Sequence, residues 1–428
     1  MKTISIFNLL VFFVGLSAHA QTIDHVSIGA SYSNQSFYRL SDGNTQSSAH
    51  STWHIAFSVF GGQDAGVFIN EGASLSGSGV KLYATGLTDF NTTIDTNTTP
   101  LTNELSNQEI SWENGAFNET RSSSNPFDYG WGIYSMTSHK VEGDEVFVLE
   151  LPNGALKKII IDSLAGGTYY FRYADLDGAN AQSKSVQKSN FAGQTLAYFS
   201  LTTGNTVANI EPSNGWDLLF TRYEELIPDG QGAWMPYAVT GVLSNKGVAV
   251  AEAKNVNTST VNYQNYLNQL SEDTLYTIGS DWKHYDFTNG WSVDANRAYF
   301  VKTADDILWK LVFIDFQGSG TGTSTLQKTN LGTISSIEIN KETSVQFEAY
   351  PNPSSGPIDV VFDLGANYGQ VDLTLQDLTG RVLFEQQLSE LNGLQAYHLP
   401  NLDLPSGIYF ICLKANNLLV TKKIQIQR

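Results

Sequence analysis

Histidine and methionine are the residues whose positions first suggest chemistry. The chain holds seven His and three Met. His19 falls in an N-terminal leader and His398 near the C-terminus, which leaves His25, His50, His54, His139 and His284. His139 and His284 stand out, because each follows a tryptophan, Trp131 or Trp282, in a segment that reads as containing a turn. Met136 precedes His139 by three positions, and Met235 lies between Trp234 and Tyr237 in "EELIPDGQGAWMPY", which reads as a loop. An imidazole or thioether on a loop among aromatic rings offers a soft donor atom beside an apolar platform, which suits ligand binding. The plain alternative for each is a surface His or a gap-filling Met.

Other chemistries leave little trace. There is no G-x-S-x-G, H-E-x-x-H or phosphate-binding loop, and no Cys–His candidate. Acidic residues are many but scattered, so no carboxylate pair for glycoside hydrolysis is legible. The expectation is a binding protein, not an enzyme, with no catalytic and no metal site. The single cysteine, Cys412, sits in "GIYFICLK" and reads as a small apolar filler in a strand. One Cys permits no internal disulfide. The net charge of −18 argues against a nucleic-acid partner, which needs a basic surface. Asp162-Ser163-Leu164 and Asp273-Thr274-Leu275 resemble a short O-glycosylation motif of Bacteroidota.

The elements that position these residues read as strands. In 428 residues, 41% are hydrophobic and only 15% charged, and Gly, Ser, Thr and Asn interrupt short apolar runs throughout. One modest helical pattern covers Tyr263–Leu270. The chain also repeats itself. "FYRLSDGNT" (37–45) is echoed by "YFSLTTGNT" (198–206), "TWHIAFSV" (52–59) by "GWDLLFTR" (215–222), and "GVFINEG" (66–72) by "GVLSNKG" (241–247). "DYGWGIYS" (128–135) and "GSDWKHYD" (279–286) follow, then "VFVLELPNGALKKIII" (146–161) and "AYFVKTADDILWKLVFI" (298–314). Trp131 to Phe147 is 16 residues and Trp282 to Tyr299 is 17. Asn153-Gly154 suits a two-residue hairpin turn, with Asp305-Asp306 a weaker version. Trp53 and Trp216 read as anchors of two equivalent cores. Residues 37–196 and 198–333 are expected to be two copies of one all-β unit, Trp131 matching Trp282.

The pattern W-D-[IL]-x-F after Y-F-x-[LF]-x-x-G, then G-V, D-W and Y-[FV]-V-[KR]-T…K-L-x-F resembles the HmuY-like family. The second unit, 197–333, carries it in Trp216, Asp217, Phe220, Gly241, Val242, Asp281, Trp282, Tyr299, Val301, Lys302, Thr303, Lys310, Leu311 and Phe313. The first unit, 21–196, is more diverged, with His54 replacing the Asp. The resemblance implies a surface or secreted all-β protein of Bacteroidota, and haem as a ligand. Iron takes axial His or Met, which makes His284 or Met235 the candidate ligands of the second unit and His139 or Met136 those of the first. The rival reading is a surface adhesin or glycan-binding protein, with both units serving as scaffolds for loops.

The two ends read as addresses. "MKTISIFNLLVFFVGLSAHAQ" has a basic start, an apolar run and an Ala18-His19-Ala20 cleavage site, so residues 1–20 form a signal peptide. No Cys follows the site, and no lipoprotein anchor or transmembrane segment is expected. A Gly/Ser/Thr-rich stretch ends in a linker at 334–344. Residues 345–428 then read as a small Ig-like sandwich. Tyr350-Pro351-Asn352-Pro353, Gly356, Asp377-Leu378, Gly380-Arg381, Leu404, Gly407, Tyr409 and Lys422-Lys423-Ile424 resemble the type A C-terminal sorting domain of the type IX secretion system. That resemblance implies passage through the periplasm to the surface or medium, with the type IX machinery as partner. Val371, Leu373, Leu375, Tyr409, Ile411 and Ile424 are candidates for its separate core.

Overall fold

The computed structural model describes residues 21–61, 64–73, 79–107, 111–228, 230–334, 346–363, 370–389, 394–400, 402–415 and 418–427. The signal peptide and all but Ile334 of the linker lie outside the described residues. The fold is all-β. The helical pattern at Tyr263–Leu270 forms only two 3-10 turns, Tyr263–Asn265 and Leu267–Gln269, since so short a segment cannot recover the cost of helix nucleation.

The strands of residues 21–334 form two bodies with matching strand orders. In the first, the larger sheet runs Gln182–Gln187, Thr168–Ala174, Leu156–Ala165, Val146–Glu150, Lys81–Leu87, with Glu104–Leu105 at its edge. Its smaller sheet runs Asn205–Thr206, Leu196–Ser200, Ile55–Ser58, Val67–Ile69. In the second, the larger sheet runs Gln21–Ser27, Thr323–Thr333, Ile307–Phe316, Ala298–Lys302, Ala249–Ala253. Its smaller sheet runs Thr45–Ala49, Asn34–Tyr38, Leu218–Pro228, Trp234–Ser244.

This pairing does not follow the sequence division at 196/197. That boundary falls inside the strand Leu196–Ser200, which pairs with Ile55–Ser58 in the first body. Asn34–Tyr38 pairs instead with Leu218–Pro228, and Gln21–Ser27 with Thr323–Thr333. The first body is thus built from residues 53–206 and inserted into the second, built from 21–49 and 216–334. Each of the echoing strands, "FYRL" and "YFSL", sits on the other repeat's Trp strand. A side chain receives each one: Asp217 Oδ2 accepts from the Leu40 amide at 2.7 Å, and His54 Nδ1 from the Leu201 amide at 3.1 Å. Leu40 and Leu201 hold the same place in the two echoes. His54 therefore does at one site what Asp217 does at the other.

Packing explains the exchange. Ile55 and Phe57 face the first core with Trp131, Phe147 and Phe171. Leu218 and Phe220 face the second with Tyr38, Trp282 and Phe313. The intervening Ala56 and Leu219 face a third core, shared between the two small sheets. Trp53 and Trp216 both lie in this shared core, not in two separate ones. Trp53 meets Tyr198 edge-on at 5.0 Å and Trp216 meets Phe37 at 5.1 Å. Each small sheet is apolar on both faces, and the face turned from its own core packs in the shared core against residues of the other body.

Local geometry departs from the sequence reading in two further places. The turn at Asn153-Gly154 is not a two-residue hairpin: the Gly154 amide bonds the Leu151 carbonyl and the Leu151 amide bonds the Ala155 carbonyl. Gly154 alone of the pair takes positive φ, 80°. Asp306 repeats this arrangement with φ 60°, its amide bonding the Thr303 carbonyl and the Thr303 amide the Ile307 carbonyl. A type I turn closed by a left-handed residue fits both sequences. The supposed loop "EELIPDGQGAWMPY" is the outer half of a long hairpin, paired from Leu218↔Ser244 to Pro228↔Trp234. Its alternating side chains are strand-like, and exposure of both faces made it read as a loop.

In the tail, Gln346–Tyr350, Ile358–Asp363 and Leu394–Leu399 form one sheet. Val382–Ser389, Gln370–Gln376, Gly407–Ala415 and Leu418–Ile426 form another. Val371, Leu373, Leu375, Tyr409, Ile411 and Ile424 share its core. Val361 packs instead with the first body's core, and Tyr350 meets Phe127 at 6.2 Å. Cys412 is buried in its strand.

Candidate functional site

Between the two bodies runs an open groove of about 1180 Å³. The first body contributes Lys81, Glu104 and Ser106. The second contributes Tyr32, Arg222, Glu224, Tyr237, Lys283, His284, Tyr285 and Trp291. Three local devices position them. The long hairpin supplies Arg222 and Glu224 on one strand and Tyr237 on the other. A short hairpin, Lys283–Asp286 with Gly290–Val293, sets His284 opposite Ser292 and Tyr285 opposite Trp291. Tyr285 and Trp291 meet at 5.3 Å and Trp291 leans on Phe316 at 4.9 Å. The edge strand of the first body brings Glu104 to Lys81, 3.0 Å away.

The electrostatics are mixed. Lys283 is buried among rings, its Nζ 4.5 Å from the Trp282 centroid and 5.0 Å from that of Phe316. It donates to the Thr240 carbonyl, and to the Ser280 carbonyl at 3.3 Å. Burial pushes its ammonium down to about 7. Burial, followed by the nearby Glu104, raises the Glu224 carboxyl. Burial opposes the charge on Lys81, but Glu104 prevails and raises it. The result is a wall of exposed rings with separate hydrogen-bonding carboxylates and cations between them.

The four ligand candidates read from the sequence are not gathered. His284 lines the groove. Met235 lies nearer the tip of the long hairpin, opposite Ile227, and 44% exposed. Met136 and His139 belong to the turn between Gly132–Ser135 and Lys140–Gly143, where His139 Nδ1 is 3.2 Å from the Tyr134 hydroxyl. That turn does not line the groove, and His139 is not the structural counterpart of His284. His139 takes positive φ at a hairpin turn, whereas His284 is within a strand. Among the described residues, no three His, Cys, Asp or Glu side chains gather to hold a metal ion.

Sequence reasoning missed Lys81, Glu104, Arg222, Glu224 and Lys283. Their meeting depends on how one body lies on the other, which leaves no local pattern. Tyr285 and Trp291 did leave a signal, exposed aromatics flanking Asn289-Gly290 in "KHYDFTNGWSV". Of the two glycosylation-like triplets, Ser163 lies within a strand beside an Asp162–Arg172 ion pair, while Thr274 lies outside any strand.

Residues 348–427 match the family model of the secretion system C-terminal sorting domain. The tail is thus a type IX sorting domain, and the chain is exported to the cell surface or secreted. This agrees with the module read at 345–428. No curated protein and no solved structure matches the chain. Among the described residues, no helix is long and apolar enough to cross a membrane.

Proposed function

We propose that this exported chain is a non-catalytic binding protein whose groove between the two bodies takes a surface glycan. The observation that carries this reading is the lining of the groove. Tyr237 and Tyr285 are each 54% exposed beside Trp291, with Glu104, Glu224, Lys81 and Arg222 interspersed. A sugar ring offers a C–H face that stacks on an aromatic ring and a rim of hydroxyls that bond carboxylates and cations. An open groove suits a chain of such rings. The test is calorimetric titration of the protein with soluble surface polysaccharides. Micromolar to millimolar binding, weakened at least tenfold in Tyr285→Ala and Tyr237→Ala, supports the reading. Binding indifferent to both substitutions overturns it.

Haem is the second reading, favoured by His284 on the groove wall beside Tyr285 and Trp291 and by the HmuY-like motif residues. The residues fit it less well. A porphyrin needs its faces enclosed by apolar contacts, whereas this groove is open and holds Glu104 and Glu224. Met235, Met136 and His139 supply no second ligand there. Haemin titration decides between the two: a sharp Soret band abolished by His284→Ala replaces the glycan reading with this one. Under either reading the tail is the address, and deleting residues 345–428 is expected to strand the passenger in the periplasm of a type IX host.

A further inference from the structure

The exchange gives the molecule two versions of one buried corner, and only one of them is complete. Glu211 and His50 each stand thirteen residues beyond the first aromatic of their echoing strands, Tyr198 and Phe37. Each precedes the tryptophan of its repeat. The Glu211 corner is fully bonded. Its carboxylate accepts from the Trp216 indole at 2.6 Å, the Thr195 amide at 2.6 Å and the Leu196 amide at 3.0 Å.

The His50 corner has an imidazole at the position where the other has the Glu211 carboxylate. The Trp53 indole nitrogen and the Gln35 side-chain nitrogen are buried with no hydrogen-bond partner. His50 and Gln35 are each only 3% exposed. A buried donor left unpaired loses its bond to water and gains nothing in return. Beside them lies a cavity of about 70 Å³, lined by Gln35, His50, Trp53, Glu71 and Arg222 among others. A site of that size holds several waters or one small molecule. Arg222 is the only lysine or arginine among its lining residues. Burial pushes the Glu71 carboxyl up to about 8, against the Asn107 and Glu224 amides that its two oxygens accept, and pushes the His50 imidazole down to about 4. A wall of N–H donors with one guanidinium favours negative charge.

We propose that this cavity binds a small monovalent anion, a halide or a carboxylate of formate or acetate size, which does for Trp53 what the Glu211 carboxylate does for Trp216. Arg222 also lines the groove, which makes its side of the cavity the route of entry. The proposal does not depend on what the groove binds.

The test measures thermal unfolding of the intact protein in formate, acetate, chloride and bromide, with ionic strength held constant by gluconate, which is too large for the cavity. An anion that binds raises Tm in proportion to the logarithm of its concentration, by roughly 5 °C at a hundredfold excess over Kd. The carboxylate and halide arms identify which class the site takes. His50→Glu brings a carboxylate of its own and is expected to abolish the response while raising Tm in gluconate. Should that variant fail to fold, Gln35→Met removes one donor and is expected to weaken the response at least fivefold. A bromide-soaked crystal is expected to show an anomalous peak beside the Trp53 indole nitrogen. Equal Tm in all five salts, or a cavity containing only waters in that crystal, overturns the proposal.

Discussion

The first body is closed by its own neighbourhood in the chain, the second by a strand from the opposite end of it. In the first, Gln182–Gln187 folds back on Thr168–Ala174, a few residues upstream. In the second, Gln21 pairs with Thr329 and Ser27 with Thr323. The same architecture therefore has a local closure in one case and a closure that must wait for nearly the whole passenger in the other. Sequence separation raises the entropic cost of pairing slowly but slows folding strongly. The contrast predicts that the two bodies differ in how they fail, although their cores look alike.

Removing residues 21–49 is the harshest test. It takes Val26, Phe37, Tyr38 and Leu40, all almost fully buried, out of the second and shared cores. Hydrogen exchange is expected to show protection lost across 216–334 and retained in the strands of 53–206. Equal loss in both bodies would mean that they are one cooperative unit and that the comparison fails.

Replacing the central tryptophans sharpens it. Trp131→Ala and Trp282→Ala should each cost about 3–5 kcal/mol, since both side chains are fully buried. Trp131 also donates to the Ala65 carbonyl at 2.8 Å, whereas the Trp282 indole nitrogen has no hydrogen-bond partner. The first substitution is therefore expected to cost more in urea unfolding, and the reverse order would show that packing outweighs the hydrogen bond.

Lys283 has no counterpart lysine in the first body, where Gly132 follows Trp131. Its pKa falls from 10.5 to about 7 on folding, chiefly through burial. Between these values the unfolded chain holds the extra proton, so stability rises as pH rises from 7 to 10.5. Relative to Lys283→Met, the natural protein should gain up to about 4 kcal/mol across that window. Parallel stability curves for the two proteins would show that the ammonium is solvated after all.

The smallest expected effect is at the exchange site itself. His54→Asp puts the residue of the second repeat into the first. Asp217 shows that a carboxylate can accept the same amide, so the change should stay within about 1 kcal/mol. A larger loss would show that the two receiving corners differ in shape.

Much of this protein was legible in one dimension. Alternating and continuous apolar runs marked the strands. "VFVLE" is buried on both sides because Phe147 and Leu149 face one core while Val146 and Val148 face another. The tail's spaced Pro, Gly and Tyr residues marked the sorting domain, because tight turns and a small core constrain residue types locally. The repeat was visible as matched segments, and Trp131 and Trp282, matched in the sequence, each lie in the core of one body. His284 and its aromatic hairpin were noticed, but not what faces them.

Tertiary structure alone decided which strand completes which body. The echoes "FYRL" and "YFSL" are so alike that either Trp strand could accept either one, and pattern cannot choose between equivalent partners. The same ambiguity hid the shared core of Trp53 and Trp216, the gathering of Lys81, Glu104 and Lys283 along one groove, and the unpaired donors around His50. Each of these depends on two surfaces far apart in sequence being pressed together. A periodic sequence specifies which faces are apolar, while the burial of those faces against each other determines the groove and the cavity.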